Sequence, residues 1–203
     1  WFDVVGRPDD TVAVVFGDVM GHGDSVAAAA DCLSRTMRAL AGEGHDPEVV
    51  MGAAREQALR LATTATAVYG VVDLATGGLE FCSAGHPAPA LLDPMWRGWL
   101  PLVPTPLLGA GWTEGEDCAS VLLASGEIVV IYSDGLADAS GSLPDVTARL
   151  MAEAAAGGAN PYQLCSVALS ATGAGTDDRS VLVLTLSEGL ADEARGHTWS
   201  AHR

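Results

Sequence analysis

Apolar and polar residues alternate, or apolar residues run together, over short stretches bounded by turn residues along most of the chain. Such stretches predict β-strands. Eight stretches have this pattern: WFDVVG, TVAVVFGDV, TATAVYGVVDL, LEFCSAG, PALLD, CASVLLA, IVVIYSDG and RSVLVLTL. The turn residues ATGG predict a hairpin between the third and fourth stretches, and SGE predicts another between CASVLLA and IVVIYSDG.

Apolar residues three and four positions apart predict helices between the groups of strands. The first covers residues 24–41, with Asp24 or Ser25 as the N-cap. The second begins at Asp46, where the following Pro and Glu suit a first helical turn, and ends near Leu61, which we expect to face inward. Two more helices are predicted after the last hairpin, at residues 144–156 and 161–171.

The order of these elements predicts the fold class. Strands cluster together, and the helices gather between the clusters instead of alternating with single strands. This order favours an α+β fold in layers over a doubly wound parallel sheet. We expect one domain over residues 1–187 and a disordered tail over residues 188–203, where the periodicity is lost.

The composition narrows the range of functions. Nearly half of the 203 residues, 49%, are hydrophobic, so the chain can bury a large core. The formal net charge of −16 disfavours binding to nucleic acid or to an anionic membrane. No apolar run in the sequence is long enough for a membrane span, so we expect neither a span nor a signal peptide. We expect the four cysteines to be thiols in a reducing cytoplasm, because none forms a CxxC pair.

Acidic residues occur at the ends of three strongly apolar strands. Asp18 follows TVAVVFG, Asp134 follows EIVVIYS, and Asp177 and Asp178 precede RSVLVLTL. If these strands lie side by side, the acids meet at one edge and need a counter-charge. Oxygen ligands favour Mg²⁺ or Mn²⁺ over zinc. The alternative, in which each Asp caps a turn or helix, remains open from spacing alone.

Four stretches occur in the order of a known family: GDVMGHG, CSAGHPAPALL, YSDGLAD and TDDRSVLVL. Together they resemble the metal-dependent protein serine/threonine phosphatases, the PPM or type 2C family, and specifically the bacterial branch named for stage II sporulation protein E. The resemblance covers residues 1–186. It implies a four-layer α-β-β-α sandwich, in which two antiparallel sheets are flanked by helix pairs.

The resemblance also implies the residues of a metal site. Asp18 corresponds to the acid that bridges two Mn²⁺ or Mg²⁺ ions, and the carbonyl of Val19 is a further contact. Asp134 and Asp177 correspond to the remaining acids, and Asp178 stands where related enzymes carry Asn or Asp. In such a site two ions activate a water that attacks phosphorus, so no nucleophilic side chain is required.

By the same resemblance, the substrate would be a phosphorylated anti-anti-sigma factor of the STAS type in partner-switching signalling. The implied setting is cytoplasmic, with an upstream sensor domain in the full-length protein and a homodimer as a compatible assembly. A pseudophosphatase that docks a partner with little turnover is the alternative, because the family's first motif is present here only from Trp1. Glycoside hydrolysis by paired carboxylates ranks last, because the tryptophans lie far from the acids in sequence.

Several basic residues near the motifs are open to two interpretations. His22 can donate a proton to a leaving oxygen, but fixing the turn by a hydrogen bond to the backbone is the favoured role. For His86 the turn-fixing role is favoured more strongly. Arg7, Arg97 and Arg179 are candidates for steering phosphate, against the alternative of ordinary surface arginines.

Overall fold

The computed structural model describes residues 1–92, 97–101, 105–111, 118–136, 160–170 and 179–186. The predicted helix at 144–156 and the predicted tail lie outside these residues. The described helices are α1 (Asp24–Gly42), α2 (Pro47–Leu61) and α3 (Pro161–Ser170). The described strands are β1 (Phe2–Gly6), β2 (Thr11–Val19), β3 (Ala65–Asp73), β4 (Gly78–Ala84), β5 (Ala90–Leu92), β6 (Arg97–Trp99), β7 (Cys118–Leu122), β8 (Ile128–Tyr132) and β9 (Val181–Thr185).

The strands form two sheets in which every neighbouring pair is antiparallel. The first sheet has the order β1-β2-β3-β4-β7, and the second has the order β6-β5-β8-β9. The longest pairing joins β2 to β3 over nine residues, from Thr11 opposite Asp73 to Val19 opposite Ala65. This long register fixes which face of β2 each side chain occupies, because a slip by one residue would reverse all of them.

Alternate residues of β2 and β8 contribute to different apolar cores. Val14 and Phe16 of β2 pack with Val129 and Ile131 of β8 between the two sheets. The other face of β2 packs against α1 and α2, and the other face of β8 packs against α3. The layers are therefore helix, sheet, sheet and helix, so the α+β prediction of two antiparallel sheets flanked by helices is confirmed.

The predicted hairpin of CASVLLA with IVVIYSDG is wrong. β7 pairs with β4 in the first sheet, whereas β8 lies between β5 and β9 in the second. The connection crosses between the sheets and is bonded to both: Leu123 N–H donates to Gly77 O at 2.9 Å, and Gly126 N–H donates to Leu186 O at 2.8 Å. A short turn sequence indicates a reversal of the chain, but it does not show whether the strands on either side pair.

Three smaller expectations also differ from the structure. The long irregular segment after β5 contains the short strand β6. Helix α1 begins after Gly23, and in neither α1 nor α2 does an N-cap side chain accept a hydrogen bond from the helix backbone. Leu61 is exposed at the end of α2, where the predicted inward face has already turned away from the sheet.

Two of the four cysteines are not thiols in the structure. Cys82 of β4 and Cys118 of β7 are directly opposite each other in the antiparallel register and form a disulfide. Cys32 and Cys165 are free and half-buried. The expectation of four thiols is therefore wrong for one pair, because the cross-strand neighbour of a cysteine depends on a register between strands 36 residues apart in sequence.

No helix in the described segments is both long and apolar enough to cross a membrane.

Candidate active site

Asp18 lies near the end of β2, where the chain leaves the sheet through a glycine-rich turn. Its strand partner is Thr66 of β3, and both side chains belong to the face that looks toward the second sheet, as Phe16 does. The turn beyond it is exposed, and Gly21 and Gly23 have φ angles of 106° and 99°. Only glycine adopts these angles readily, so the sequence GDVMGHG suits a sharp, open turn beside a half-buried carboxylate.

The backbone carbonyl of Val19, a buried residue, points toward the β1 side of β2. Val19 is opposite Ala65, but the N–H and C=O of Ala65 bond to Leu108 on its other side. Opposite residues in an antiparallel pair either exchange both hydrogen bonds or neither, so the polar groups of Val19 point away from β3. No residue in the described ranges bonds to this carbonyl, which leaves it available to a cation.

Asp134 follows directly after β8, and its side chain is exposed. The Oδ1 atom accepts a hydrogen bond from the N–H of Gly135 at 2.9 Å, which orients the carboxylate. Ser133, just before it, is buried and bonded to Ser180 twice: Ser133 N–H donates to Ser180 O at 3.0 Å, and Ser180 N–H donates to Ser133 Oγ at 2.9 Å. These bonds extend the pairing of β8 with β9 up to the acid.

Asp177 and Asp178 lie outside the described residues. The described chain resumes at Arg179, next to Ser180 at the same end of β9. Among the residues that the structure describes, no three His, Cys, Asp or Glu side chains gather closely enough to hold a metal. The described donors, Asp18, Asp134 and the Val19 carbonyl, are all oxygen atoms. This donor set fits a hard cation such as Mg²⁺ or Mn²⁺ better than zinc.

A chain of contacts joins the ends of β2 and β8 across the sandwich. Thr66, opposite Asp18, has its Oγ1 atom 3.0 Å from Nδ1 of His86. The imidazole also meets the ring of Phe16 edge to face, with the ring centroids 5.2 Å apart. The backbone of Tyr132, two residues before Asp134, faces the same imidazole and raises its pKa. The structure therefore brings Asp18 and Asp134 to the same end of the two sheets.

His86 is buried, with 6% of its surface exposed. Desolvation by this burial lowers the pKa of its imidazole to about 4, against which the Tyr132 backbone has the smaller, opposite effect. The Nε2 atom has no hydrogen-bond partner among the described residues. The interpretation of His86 as a turn-fixing residue is not supported, because the imidazole contacts Thr66 of β3 and Phe16 of β2 and not the backbone of its own turn.

The other basic candidates lie in different settings. His22 is exposed and forms no hydrogen bond with any described residue, so the structure gives no support to a turn-fixing role. Arg7 lies beyond the opposite end of β2, about 23 Å from Asp18 along the strand. There its guanidinium donates to the carbonyls of Gly44 and His45, so the phosphate-steering hypothesis is wrong for Arg7. The side chain of Arg97 lies outside what the structure describes, and Arg179 is half-buried beside Ser180.

Sequence reasoning missed Thr66 and Tyr132 as neighbours of the site. Thr66 belongs to TTATAVYG, where it looks like any polar residue in an alternating strand. Its importance depends on the β2–β3 register, which only the nine-residue pairing fixes. The signal that could have identified Tyr132 is its position two residues before Asp134 in the same motif.

Several solved structures of other proteins are similar to this chain. The RsbU and RsbW domains of Rv1364c from Mycobacterium tuberculosis are 28% identical to this chain, with a TM-score of 0.80 over 92% of this chain and 56% of that one. The PP2C phosphatase domain and a regulatory fragment of SpoIIE from Bacillus subtilis are 16% identical, with a TM-score of 0.77 and the same coverage. RsbX in complex with magnesium is 17% identical, with a TM-score of 0.71 over 92% of this chain and 87% of that one.

The two sheets, the flanking helices and these likenesses define the fold as that of the PP2C, or PPM, phosphatases. The pattern of the family described as Stage II sporulation protein E (SpoIIE) matches residues 8–187. Because this match covers most of the chain, the chain belongs to the SpoIIE family. It spans a little over half the length of the mycobacterial and Bacillus subtilis chains in those structures.

Proposed function

We propose that this chain is a metal-dependent protein phosphatase that hydrolyses phosphoserine and phosphothreonine. The observation that supports the proposal is that Asp18 is the strand partner of Thr66, which contacts His86, and that Asp134 follows Tyr132, which bonds to Ala88 beside His86, at one end of a PP2C-type sandwich. Two carboxylates at one accessible site repel each other unless a cation lies between them. Their accessibility also leaves room for a phosphorylated side chain.

Each residue of the proposed site would have a separate role. Asp18, Asp134 and the Val19 carbonyl would hold Mn²⁺ or Mg²⁺, with Asp177 and Asp178 as further ligands. When bound, two such ions lower the pKa of a shared water and neutralise phosphate oxygens. The positive φ angles of Gly21 and Gly23 allow the sharp turn after Asp18, and Gly135 N–H orients the Asp134 carboxylate.

The substrate in this proposal is a phosphorylated STAS-type anti-anti-sigma factor in partner-switching signalling. The support is family membership and the likeness to a structure that holds RsbU and RsbW domains together. A homodimer and an upstream sensor domain belong to the same proposal, and the B. subtilis relative carries part of a regulatory domain. The reaction would take place in the cytoplasm.

The test is turnover of a phosphoserine peptide with Mn²⁺, with EDTA, and by three variants: Asp18→Asn, Asp134→Asn and Asp177→Asn. We expect activity with Mn²⁺, loss with EDTA, and a fall of at least about 100-fold in each variant, as is typical when a group acting directly in catalysis is removed. Asp10→Asn is the matched control. It makes the same chemical change in the exposed turn before β2, where φ is 60° and Asn is well tolerated.

The control variant should retain wild-type turnover. Full activity in EDTA would contradict metal dependence. An intact, Mn²⁺-binding protein without turnover on any phosphopeptide would favour the docking module, the alternative left open by the sequence.

A further inference from the structure

We propose that His86 is a positioning residue that fixes the spacing between Asp18 and Asp134 by joining β3 to β8 at the site end of the sandwich. This inference rests on the proposed function, since it concerns the same carboxylates. It assigns a role to a residue that the metal chemistry itself does not use.

The first support is the position of the imidazole between the sheets. On one side, Nδ1 is 3.0 Å from Oγ1 of Thr66, which is the strand partner of Asp18. Thr66 and Asp18 occupy the same face, with Cα atoms about 5.5 Å apart in a hydrogen-bonded pair. A shift of Thr66 would therefore move β2 at Asp18.

The second support is a connection from the segment of His86 to β8. The Tyr132 hydroxyl donates to the carbonyl of Ala88, two residues after His86, at 3.0 Å. This hydrogen bond holds the short segment from His86 to Ala88 against the strand that ends two residues before Asp134.

The third support is the packing of the residue before His86 against neighbouring segments. Gly85 N–H donates to Thr105 O at 3.0 Å, and Gly85 also bridges to Ala67 of β3. A Cβ at Gly85 would overlap the side chain of Leu107. The backbone before His86 is therefore held by residues 105–107 and by β3, so the imidazole has a fixed base from which to position Thr66.

The fourth support is charge. The buried imidazole is neutral near pH 7, because burial lowers its pKa to about 4. A neutral ring adds no positive charge next to a site that is to hold divalent cations, whereas a lysine or arginine in this position would compete with them.

The experiment measures Mn²⁺ affinity directly, from the electron paramagnetic resonance signal of free Mn²⁺, beside turnover. The variants are His86→Ala and Thr66→Val; the second removes the hydroxyl but keeps the branched shape of the side chain. We expect the Kd for Mn²⁺ to rise roughly 10- to 100-fold for His86→Ala and about 10-fold for Thr66→Val, as for other residues that orient metal ligands. Excess Mn²⁺ should restore most of kcat, because the ligands themselves remain.

The double variant should bind Mn²⁺ no more weakly than His86→Ala alone, since both changes break the same connection. Arg7→Met is the control, because it perturbs a buried residue at the opposite end of β2; its Kd for Mn²⁺ should equal that of the wild type. If His86→Ala does not fold, Thr66→Val decides alone.

The outcomes separate the two proposals. Wild-type protein that binds Mn²⁺, with unchanged affinity in Thr66→Val and in any folded His86→Ala protein, would overturn the role of His86 and leave the phosphatase proposal standing. Wild-type protein that binds no Mn²⁺ and has no turnover would overturn both.

Discussion

Gly109 lies where the segment of residues 105–111 is fastened to β3. Its φ angle is 78°, and an added Cβ would overlap the carbonyl oxygen of Thr63 and lie 3.1 Å from the carbonyl carbon. The neighbouring Leu108 exchanges two backbone hydrogen bonds with Ala65, at 2.9 and 3.2 Å. Substitution of Gly109 by Ala therefore forces backbone atoms apart, because the added Cβ meets the Thr63 backbone and not a side chain that could move aside.

The expected cost follows from these contacts. A left-handed backbone costs Ala about 1 to 2 kcal/mol relative to Gly, and separating the strands would break the two Leu108–Ala65 hydrogen bonds at about 1 kcal/mol each. We expect Gly109→Ala to lower the free energy of unfolding by about 3 to 4 kcal/mol. For a chain of this size, that corresponds to a fall in Tm of roughly 10 °C.

Gly126→Ala provides the matched control. Gly126 has a similar φ angle of 85°, but nothing lies within 4 Å of an added Cβ. It carries only the backbone cost, about 1 to 2 kcal/mol, or a fall in Tm of roughly 4 °C. Thermal and urea unfolding followed by circular dichroism measure both variants. Equal losses of stability would refute the argument that the Thr63 carbonyl makes Gly109 obligatory.

Three further predictions concern residues other than the proposed ligands. The pKa of His86 is about 4 in the folded protein and about 6.5 in an unfolded chain. Between these two pH values His86 is therefore protonated in the unfolded chain but not in the folded protein. Stability should fall by about 3 kcal/mol as the pH drops from 6.5 to 4, and urea unfolding of His86→Gln should lack this part of the pH dependence. Arg7→Met removes charge-assisted hydrogen bonds to Gly44 and His45 and should cost about 3 kcal/mol, with kcat of the folded protein unchanged; a loss of kcat would place Arg7 in the site after all. DTNB in denaturant should count two thiols before reduction and four after it, and four before reduction would contradict the Cys82–Cys118 disulfide.

The local pattern of the sequence was sufficient to predict most elements. TVAVVFGDV and IVVIYS are apolar because β2 and β8 are covered on both faces, and the glycines of GDVMGHG mark a turn that needs positive φ. The position of Asp18 and Asp134 at strand ends follows from the same patterns. The sequence hypothesis had these strands side by side, whereas β2 lies in the first sheet and β8 and β9 lie in the second, an arrangement that only the resemblance implied.

The remaining features depend on pairing between distant strands. The crossing from β7 to β8, the cross-strand disulfide and the contact of His86 with Thr66 all depend on a register that no short stretch encodes. The burial of His86 belongs to the same group. In sequence it is one histidine between glycine and proline, and only the approach of the second sheet removes it from water.

The bond between Ser133 and Ser180 has a consequence for synthesis of the protein. The strand that holds the end of β8 is supplied by the final described segment of the chain. A nascent polypeptide that has already exposed Asp18 and Asp134 outside the ribosome still lacks this strand. Prematurely terminated products would thus contain both acids without the bonds that support Asp134, and the proposed hydrolytic activity would be confined to molecules translated through β9.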